Sequence, residues 1–418
     1  MRLNDEEKAM LAGEFGPFRQ WAIDHQIKVG SYLKAPDFVP VMQAHIMADT
    51  ESLGEAGVAW LEGWTKLPAK DRLVRIPTIT DPRGTDFAAA SRLKQQSWMV
   101  ALERRAIDAF QSLGVLMTDT CINYQTIMPP VRGEHCAYGD TGVVIYSNSV
   151  CGARSNFEGG PSALSAGLTG RTPRYGYHLD EHRMATLLVQ CSFTPRDLND
   201  WGALGGIVGR LAGDYWQVPA LVGLERVPGS DEMKHFGAAL ASYGSMALFH
   251  MIGITPEAQR LEDVIPDGDV RTHDVTAADI RAFQTAYAKE IDSVDLVVFS
   301  APQLSLIEMQ ALADMLDGRR ATIPLLAVTS PQVKPDADRM GLTARIEAAG
   351  GTVLAGMCFY QSYAREMAEA NGWKRLATNS AKLTNIIGGY GYRPALMSME
   401  ACVAAACAGG RIGPGTGP

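Results

Sequence analysis

The sequence lacks the long apolar runs of a membrane protein. No stretch reaches the roughly 18 apolar residues that a membrane-spanning helix needs, and the nearest one, Met246 to Ile254, is short and contains His250. The N-terminus, from Met1 to Lys8, has no apolar core of the kind that signal peptides carry. These absences predict a cytoplasmic protein that does not enter a membrane.

Clusters of basic residues are also missing. The chain has 38 basic and 46 acidic residues and a formal net charge of −8, and a pair such as Arg104–Arg105 is too short to form a nucleic-acid-binding face. We therefore expect no nucleic-acid partner. The seven cysteines form no C-x-x-C motif, and an odd count without a signal peptide favours reduced thiols or metal ligands over disulfides.

Familiar catalytic motifs are absent as well. The chain contains no P-loop, no G-x-S-x-G and no H-E-x-x-H sequence, and Gly388–Gly391 does not match the dinucleotide-binding fingerprint. The residue pattern alone therefore predicts an enzyme candidate without naming a reaction.

What the sequence does contain is an alternation of strand and helix patterns in its C-terminal third. Short apolar runs begin near Val294, Ile323, Thr352 and Arg375, and helical spacing or a capping box follows each run. One of these predicted helices covers residues 338–349. Such alternation predicts an α/β fold, in which helices cover a parallel sheet.

The N-terminal two thirds are less regular. A long helix is predicted over residues 86–113, and a segment rich in glycine, serine and asparagine follows over residues 129–178. We place a domain boundary near residue 270, at residues 266–269. The resulting division comprises an N-terminal catalytic region (1–270), a C-terminal α/β domain (271–408) and a flexible tail (409–418).

Two cysteines follow predicted strands. In open α/β sheets ligands bind beyond the carboxyl ends of the strands, and Cys121, the Ser300–Pro302 turn and Cys358 occupy such positions. Soft thiolates favour zinc, copper(I) or iron–sulfur clusters. The alternative is that each cysteine is a small buried apolar residue, and spacing alone favours this alternative.

A glycine-rich segment over residues 148–161 gathers polar side chains. Asn148, Ser149, Arg154 and Asn156 lie close together in it, and an arginine can grip a carboxylate through two parallel hydrogen bonds. A loop that only satisfies its own hydrogen bonds is an equally good interpretation.

A second polar segment follows a predicted strand and contains Thr378, Asn379, Ser380 and Lys382. Its hydroxyl, amide and ammonium groups can hold an anionic substrate, although a polar loop that caps a helix is the alternative. His45 and His178 are acid–base candidates, and a structural role is the usual one for a lone histidine.

These same residues carry a resemblance to the aconitase X family, of the large-subunit or catalytic-domain type, and the resemblance spans nearly the whole chain. The matching blocks are Leu3–Gly13, Ala44–Ile46, Cys121, Asn148–Asn156, Gly159–Ala163, Gly170–Pro173, Gly176–His178, Phe249–His250, Gly253–Ala258, Val294–Leu296, Thr378–Lys382 and Cys402–Ala406.

The resemblance implies a multi-domain, aconitase-like α/β architecture and a hydro-lyase activity. Members of the family dehydrate cis-3-hydroxy-L-proline or mevalonate 5-phosphate. The resemblance also implies an iron–sulfur cluster, 2Fe–2S or 4Fe–4S, or a single iron, held by cysteines in the crevice. The iron would act as a Lewis acid on the departing hydroxyl.

Two departures from the family pattern qualify this expectation. Archaeal-type members carry a Gly-Cys-Pro-His turn where this chain has Ser300-Ala301-Pro302-Gln303, so one expected ligand is missing and Cys151 is a candidate substitute. The small swivelling part is absent from this chain. A separate small subunit is therefore expected to supply the serine that abstracts the proton.

The resemblance favours cis-3-hydroxy-L-proline as the substrate and 1-pyrroline-2-carboxylate as the product. Mevalonate 5-phosphate is the alternative substrate, and a non-catalytic scaffold is the alternative function. The predicted catalytic residues are His45, His178, Ser380 and Lys382. The predicted substrate-binding residues are Asn148, Ser149, Arg154, Asn156, Thr378 and Asn379. The predicted metal ligands are Cys121, Cys358 and Cys151.

Overall fold

The structure, a computed structural model, describes residues 1–265, 270–288 and 291–413. Within these residues the chain forms three successive regions, each built around a parallel sheet with helices against it. None of the helices in the described part is long and apolar enough to cross a membrane.

The first region contains eight helices and five short strands. Its helices are α1 (Asp5–Leu11), α2 (Pro17–Tyr32), α3 (Thr50–Thr65), α4 (Ala69–Arg72), α5 (Ser97–Ser112), α6 (Asn123–Thr126), α7 (Thr141–Ser149) and α8 (Pro161–Thr169). Its strands are β1 (Phe38–Pro40), β2 (Ala44–Ile46), β3 (Thr78–Thr80), β4 (Ala137–Tyr138) and β5 (Arg171–Pro173).

The sheet of the first region has the strand order β3-β2-β4, and all three strands are parallel, whereas β1 and β5 form a separate antiparallel pair. Each sheet strand is only two or three residues long and fully buried. The parallel arrangement brings the C-terminal ends of β2, β3 and β4 to one edge.

The second region is a four-stranded parallel sheet with the order β8-β7-β6-β9. Its strands are β6 (Leu187–Cys191), β7 (Pro219–Val222), β8 (His250–Met251) and β9 (Arg271–Val275). Its helices are α9 (Leu198–Ala212), α10 (Ser230–Gly244) and α11 (Ala277–Ala288). Trp201 and Phe236 belong to the core that these helices form against the sheet.

The third region is a five-stranded parallel sheet with the order β12-β11-β10-β13-β14. Its strands are β10 (Leu296–Leu304), β11 (Leu325–Thr329), β12 (Thr352–Ala355), β13 (Arg375–Thr378) and β14 (Arg393–Leu396). Its helices are α12 (Leu306–Met315), α13 (Lys334–Arg339), α14 (Leu342–Ala348), α15 (Ala364–Asn371), α16 (Ala381–Ile387) and α17 (Met399–Cys407).

The strand order of the third sheet creates a topological switch point. The chain proceeds outward from β10 through β11 and β12, then returns to the other side of β10 as β13 and β14. A crevice opens beyond the carboxyl ends of two neighbouring strands at such a point. Here the two strands are β10 and β13, so this end of the sheet is where a ligand is expected.

Two predicted helices are shorter in the structure. Of the helix predicted over residues 86–113, only Ser97–Ser112 is helical. The helix predicted over 338–349 is interrupted at Gly341, which has a φ of 74° and separates α13 from α14. A left-handed residue cannot continue a right-handed helix, and glycine adopts this conformation without strain.

The predicted boundary at residues 266–269 falls outside the described residues. Just after it, β9 pairs with β6 in the second sheet. Within the predicted tail, the Val294 amide donates to the Gly410 carbonyl at 2.8 Å and the Ile412 amide donates to the Asp292 carbonyl at 2.9 Å. This part of the tail is thus bound to the fold, while residues 414–418 lie outside the described chain.

Candidate active site

Ionisable side chains stand at the C-terminal edge of the first sheet. His45 lies within β2, Asp81 directly follows β3, and Asp140 comes two residues after β4. The three strands are parallel neighbours, so their ends bring these side chains together. All three are buried, and their charges interact with little screening by water.

The segment before Cys121 runs beside β3 and widens this edge of the sheet. Leu116 forms a parallel bridge with Ile79 in β3, and the Thr120 amide donates to the Thr80 carbonyl at 3.1 Å. Cys121 therefore arrives beside the end of β3, and only 5% of its surface is exposed.

The third sheet contributes residues from its switch point. Ser380, just beyond β13, donates its hydroxyl hydrogen to the Ala301 carbonyl at 2.5 Å and accepts from the Leu383 amide at 3.0 Å. The side chain thereby caps α16 and joins the ends of β10 and β13. Cys358 lies beyond the end of β12, close to the same switch point.

The thiols of Cys121 and Cys358 both lie beside β10, and each contacts one of its residues. The Gln303 amide donates to Cys121 Sγ at 3.4 Å, and the Ser300 hydroxyl lies 4.0 Å from Cys358 Sγ. Burial raises the pKa of Cys121, and the negative charges of Asp140 and Cys358 raise it further. Burial also raises the pKa of Cys358, to about 12. Both thiols are therefore protonated unless a cation binds them.

A buried ion pair lies beside the thiols. Lys382 Nζ is 3.2 Å from Asp140 Oδ2, and each side chain is 4% exposed. Burial opposes the charge of Lys382, but Asp140 and the two thiols raise its pKa overall. Burial likewise opposes ionisation of Asp140, yet Lys382 and His45 lower its pKa overall. Lys382 is therefore a fixed positive charge within the site.

Asp81 is a second carboxyl group that faces the same lysine. Burial and the charge of Asp140 raise the pKa of Asp81 well above its ordinary value. Its Oδ2 accepts a hydrogen bond from Gln361 Nε2 at 3.2 Å, whereas Oδ1 has no hydrogen-bond partner among the described residues and lies 3.8 Å from His45 Nε2. One lysine neutralises only one of two adjacent carboxylates, so Asp81 is the one that keeps its proton.

His45 is a neutral imidazole beside Asp81. Its Nε2 lies 2.9 Å from the Thr120 carbonyl, which can only accept, so Nε2 carries the hydrogen. Burial lowers the pKa of His45. Its Nδ1 has no partner in the described part of the chain, which leaves a buried acceptor at this edge of the site.

This donor set fits a group held by two thiols and does not fit ligation by three cysteines. Ala301 supplies no ligating side chain at the position where a third cysteine is expected. Across the described residues, no three His, Cys, Asp or Glu side chains have a metal-binding arrangement. Unpaired buried polar atoms, such as Asp81 Oδ1 and the Tyr124 hydroxyl, cost about 1–3 kcal/mol each, which a bound polar group would recover.

Family models match the chain almost from end to end. They are the aconitase X first domain over residues 1–181, the second domain over 185–285 and the third domain over 294–408. The chain belongs to the aconitase X family. The predicted family is thereby confirmed.

Relatives with curated names include two kinds of dehydratase. The phosphomevalonate dehydratase large subunit of Methanothermobacter thermautotrophicus is 33% identical over 390 residues, which cover 93% of this chain and 94% of that protein. The cis-3-hydroxy-L-proline dehydratase of Pseudomonas aeruginosa is 31% identical over 425 residues, which cover 98% of this chain and 70% of that protein. The chain is accordingly a hydro-lyase of the aconitase X family.

The fold has a counterpart among solved structures. The crystal structure of aconitase X from Thermococcus kodakaraensis, in its holo form, matches with a TM-score of 0.86 and 29% identity over 97% of this chain and 100% of that one. The predicted architecture of parallel sheets flanked by helices is thereby confirmed.

The site of this aconitase X includes five of the residues predicted from the sequence. His45, Cys121, Cys358, Ser380 and Lys382 meet at the two sheet edges, as the preceding contacts show. Of these, Ser380 makes its hydrogen bonds with the main chain, which indicates a supporting role in the shape of the switch point.

Three predicted substrate-binding residues bond to other parts of the main chain instead. Asn148 Nδ2 donates to two main-chain carbonyls, Ser149 Oγ accepts from one main-chain amide, and both ends of the Asn156 amide bond to the main chain. None of these bonds reaches the thiols or Lys382. Asn148 and Ser149 end α7, and their bonds to Ala247 and Phe249 connect this segment to the chain before β8.

Arg154 and His178 belong to a separate cluster. Arg154 pairs with Asp180, and its Nη1 donates to the His178 carbonyl at 3.1 Å. His178 Nδ1 lies 2.9 Å from His135 Nδ1. Arg154 and Arg183 line a cavity of about 270 Å³ in this cluster, and the cavity lining includes neither cysteine of the thiol pair.

The remaining predicted residues have other contacts. Cys151 interacts with Glu134, whose charge adds to the effect of burial and raises the pKa of Cys151 to about 11. Asn379 lines a cavity of about 410 Å³ next to α12 and α17. Thr378 Oγ1 accepts from the Ser380 amide at 3.2 Å, so it supports the turn after β13.

Sequence reasoning missed Asp81, Asp140, Gln303 and Gln361. The two aspartates follow strands of two or three residues, which are too short to show an apolar period. Gln361 carries no charge and belongs to no motif, and Gln303 was noted only as the last residue of the turn that departs from the family pattern. A signal was present for Asp140 alone, since it begins α7 as an N-cap that accepts from the Gly142 and Val143 amides.

Proposed function

We propose that this aconitase X removes water from cis-3-hydroxy-L-proline and forms 1-pyrroline-2-carboxylate. The observation that carries the proposal is the convergence of two thiols, an ionic Lys382–Asp140 pair and a protonated Asp81 at two facing sheet edges. Such a set combines a site for a soft metal with groups that bind a carboxylate and donate a proton.

Cys121 and Cys358 are the residues that would hold iron, as a single ion or as a small iron–sulfur cluster. Bound there, the iron would supply Lewis acidity to the departing hydroxyl. With Ala301 at the position of an expected third ligand, two protein thiols leave an iron–sulfur cluster short of its usual four ligands, so a single iron suits them best.

Lys382 binds the carboxylate of the substrate in this proposal. An ammonium group has three donors, and only one of them is directed to Asp140. Asp140 is itself fixed as the N-cap of α7, so the ammonium is held in place before the substrate arrives. A pre-oriented charge of this kind loses little entropy on binding.

Asp81 donates a proton to the departing hydroxyl. The reaction breaks the C–H bond next to the carboxylate and the C–O bond of the neighbouring carbon, and a C=C bond forms between them. The hydroxyl leaves with the Asp81 proton as water. The resulting enamine isomerises to 1-pyrroline-2-carboxylate without a further protein group.

A separate small subunit supplies the base, a serine on a swivelling domain, in this proposal. Support comes from relatives that are named large subunits and that match over 94–98% of their own length. The cis-3-hydroxy-L-proline dehydratases match over only 69–70% of theirs, so those proteins have additional length beyond the part shared with this chain.

The charges near the thiols favour a substrate with one carboxylate. Lys382 is paired with Asp140, and Arg83 is paired with Asp119, so each cation is already matched by one acid. A phosphate group would need further cations. Mevalonate 5-phosphate is the second candidate, because the relative with 33% identity is named a phosphomevalonate dehydratase large subunit.

A turnover assay with both candidate substrates tests the proposal. The chain is prepared anaerobically with iron and mixed with a small swivelling-domain subunit from the same source. We expect formation of 1-pyrroline-2-carboxylate from cis-3-hydroxy-L-proline and no reaction of mevalonate 5-phosphate. Dehydration of mevalonate 5-phosphate alone would contradict the proposed substrate, and turnover of neither compound by an iron-loaded complex would support the scaffold instead.

A further inference from the structure

Gln303, near the end of β10, is a completely buried side chain. Its Oε1 accepts a hydrogen bond from the Cys121 amide at 3.3 Å. Its Nε2 donates to the Asp119 carbonyl at 3.1 Å and to the Met357 carbonyl at 3.3 Å. The side-chain amide therefore bonds to two chain segments that are far apart in sequence.

These two segments are the ones that carry the thiols. Asp119 and Cys121 belong to the segment beside β3, and Met357 immediately precedes Cys358. The main chain of Gln303 adds a direct contact, since its amide donates to Cys121 Sγ at 3.4 Å. Any shift of one segment relative to the other would break at least one of these bonds.

We propose that Gln303 is a positioning residue that sets the separation of the Cys121 and Cys358 thiols and thereby the metal affinity of the pair. This inference rests on the proposed function in one respect, because it takes the two thiols as metal ligands. Partners that hold metal ligands in place typically change metal affinity by about 10- to 100-fold when they are removed.

The main chain at Gln303 is anchored from the second region. Lys234 in α10 is buried, donates to the Gln303 carbonyl at 3.2 Å and forms an ion pair with Glu308. His235 Nε2 lies 2.7 Å from the other oxygen of the same carboxylate. The main chain of Gln303 is thus held by a buried ion pair. Its side chain connects this fixed position to both thiol-bearing segments.

The chemistry of the bonds requires an amide at this position. The Cys121 amide needs an acceptor, whereas the two carbonyls need donors, and only a carboxamide provides both from one side chain of this length. Gln303→Met keeps approximately the same volume and removes all three side-chain bonds. Gln303→Glu keeps the acceptor and removes the two donors when it is ionised.

Cobalt(II) titration of the full-length chain tests the proposal. The reduced, metal-free protein is titrated anaerobically, and the thiolate-to-cobalt charge-transfer absorption reports binding by the thiol pair. We expect Gln303→Met to bind cobalt about 10- to 100-fold more weakly than wild type, with a changed band position, and Gln303→Glu to lie between the two.

Gln284→Met is the matched control. Gln284 is also buried, and its Nε2 donates to Asp200 at 3.0 Å, but this bond lies within the second region. A loss of packing or stability alone would affect both methionine variants, whereas a change in the cobalt band and affinity is expected for the Gln303 variant only.

Cobalt affinity of Gln303→Met equal to that of Gln284→Met would overturn the proposal. If Gln303→Met does not fold, Gln303→Glu decides, and wild-type affinity and band position in that variant would overturn it. The metal site itself is tested separately by Cys358→Ser. Cobalt absorption that this substitution leaves unchanged would refute the thiol pair as ligands and the positioning role with it.

Discussion

Replacing Lys382 by methionine is expected to leave Asp140 as an unpaired buried carboxylate. The two charged atoms are 3.2 Å apart and both side chains are 4% exposed, so water contributes little to their solvation. Removing one partner of such a buried pair typically costs about 3–5 kcal/mol. We expect Lys382→Met to lower the free energy of unfolding by an amount in this range at neutral pH.

The double variant Lys382→Met with Asp140→Asn separates stability from catalysis. Asparagine is as good an N-cap as aspartate, so α7 keeps its cap, and no unpaired charge remains. We therefore expect the double variant to regain most of the lost stability and still lack turnover, because the cation that binds the carboxylate is gone.

Urea denaturation of wild type and the variants measures the first quantity, since the midpoint and slope give the free energy of unfolding. Turnover with the small subunit measures the second. A loss below about 1 kcal/mol for Lys382→Met, the range of an exposed ion pair, would refute the buried pair. An active double variant would contradict the role of Lys382.

Three further expectations concern other parts of the molecule. Burial raises the pKa of Glu103 to about 7 from 4.5. The stability that Glu103 contributes is therefore fully present below pH 4.5 and is lost as the pH rises to about 7. In urea denaturation, the free energy of unfolding of wild type should fall by about 3 kcal/mol across that window, and Glu103→Gln should remove this fall. Glu308 is buried, which opposes its ionisation, but Lys234 lowers its pKa to about 2. Glu308→Gln should therefore abolish a loss of stability between about pH 4.5 and 2, seen in acid denaturation. Arg154→Ala should leave iron content and turnover close to wild type, because Arg154 pairs with Asp180 away from the thiols, and a large rise in KM would contradict this.

Local signals predicted the third region well. Apolar runs were expected to begin near Thr352 and Arg375, and strands β12 and β13 begin at these residues. Helix caps and buried apolar runs depend on neighbours within a few residues. A single sequence contains that information.

Such local signals did not predict the strands of the first sheet. Its strands β2, β3 and β4 consist of two or three residues each, and the helix expected to begin at residue 86 begins at Ser97 instead. Pairing partners that are distant in the chain determine where these strands form. The charged edge of the site therefore became visible only in three dimensions.

Cys358 and Lys382 of the candidate site were predictable, because each follows a strand of the recognisable α/β segment, whereas Cys121 follows an isolated bridge between Leu116 and Ile79. Arg154 illustrates the opposite case. Its chemistry suits a carboxylate, but the loop that carries it turns toward Asp180 and His178. Residue type indicates what a side chain can bind, whereas the path of the backbone decides what it meets.

The iron content of the anaerobically purified chain tests the central claim most directly. Wild type should contain iron and absorb visible light, and Cys121→Ser and Cys358→Ser should each lose both properties. Cys191→Ser serves as the control, because Cys191 is buried in the core of the second region and should not affect iron. Iron retained in full by either of the first two variants would contradict the account.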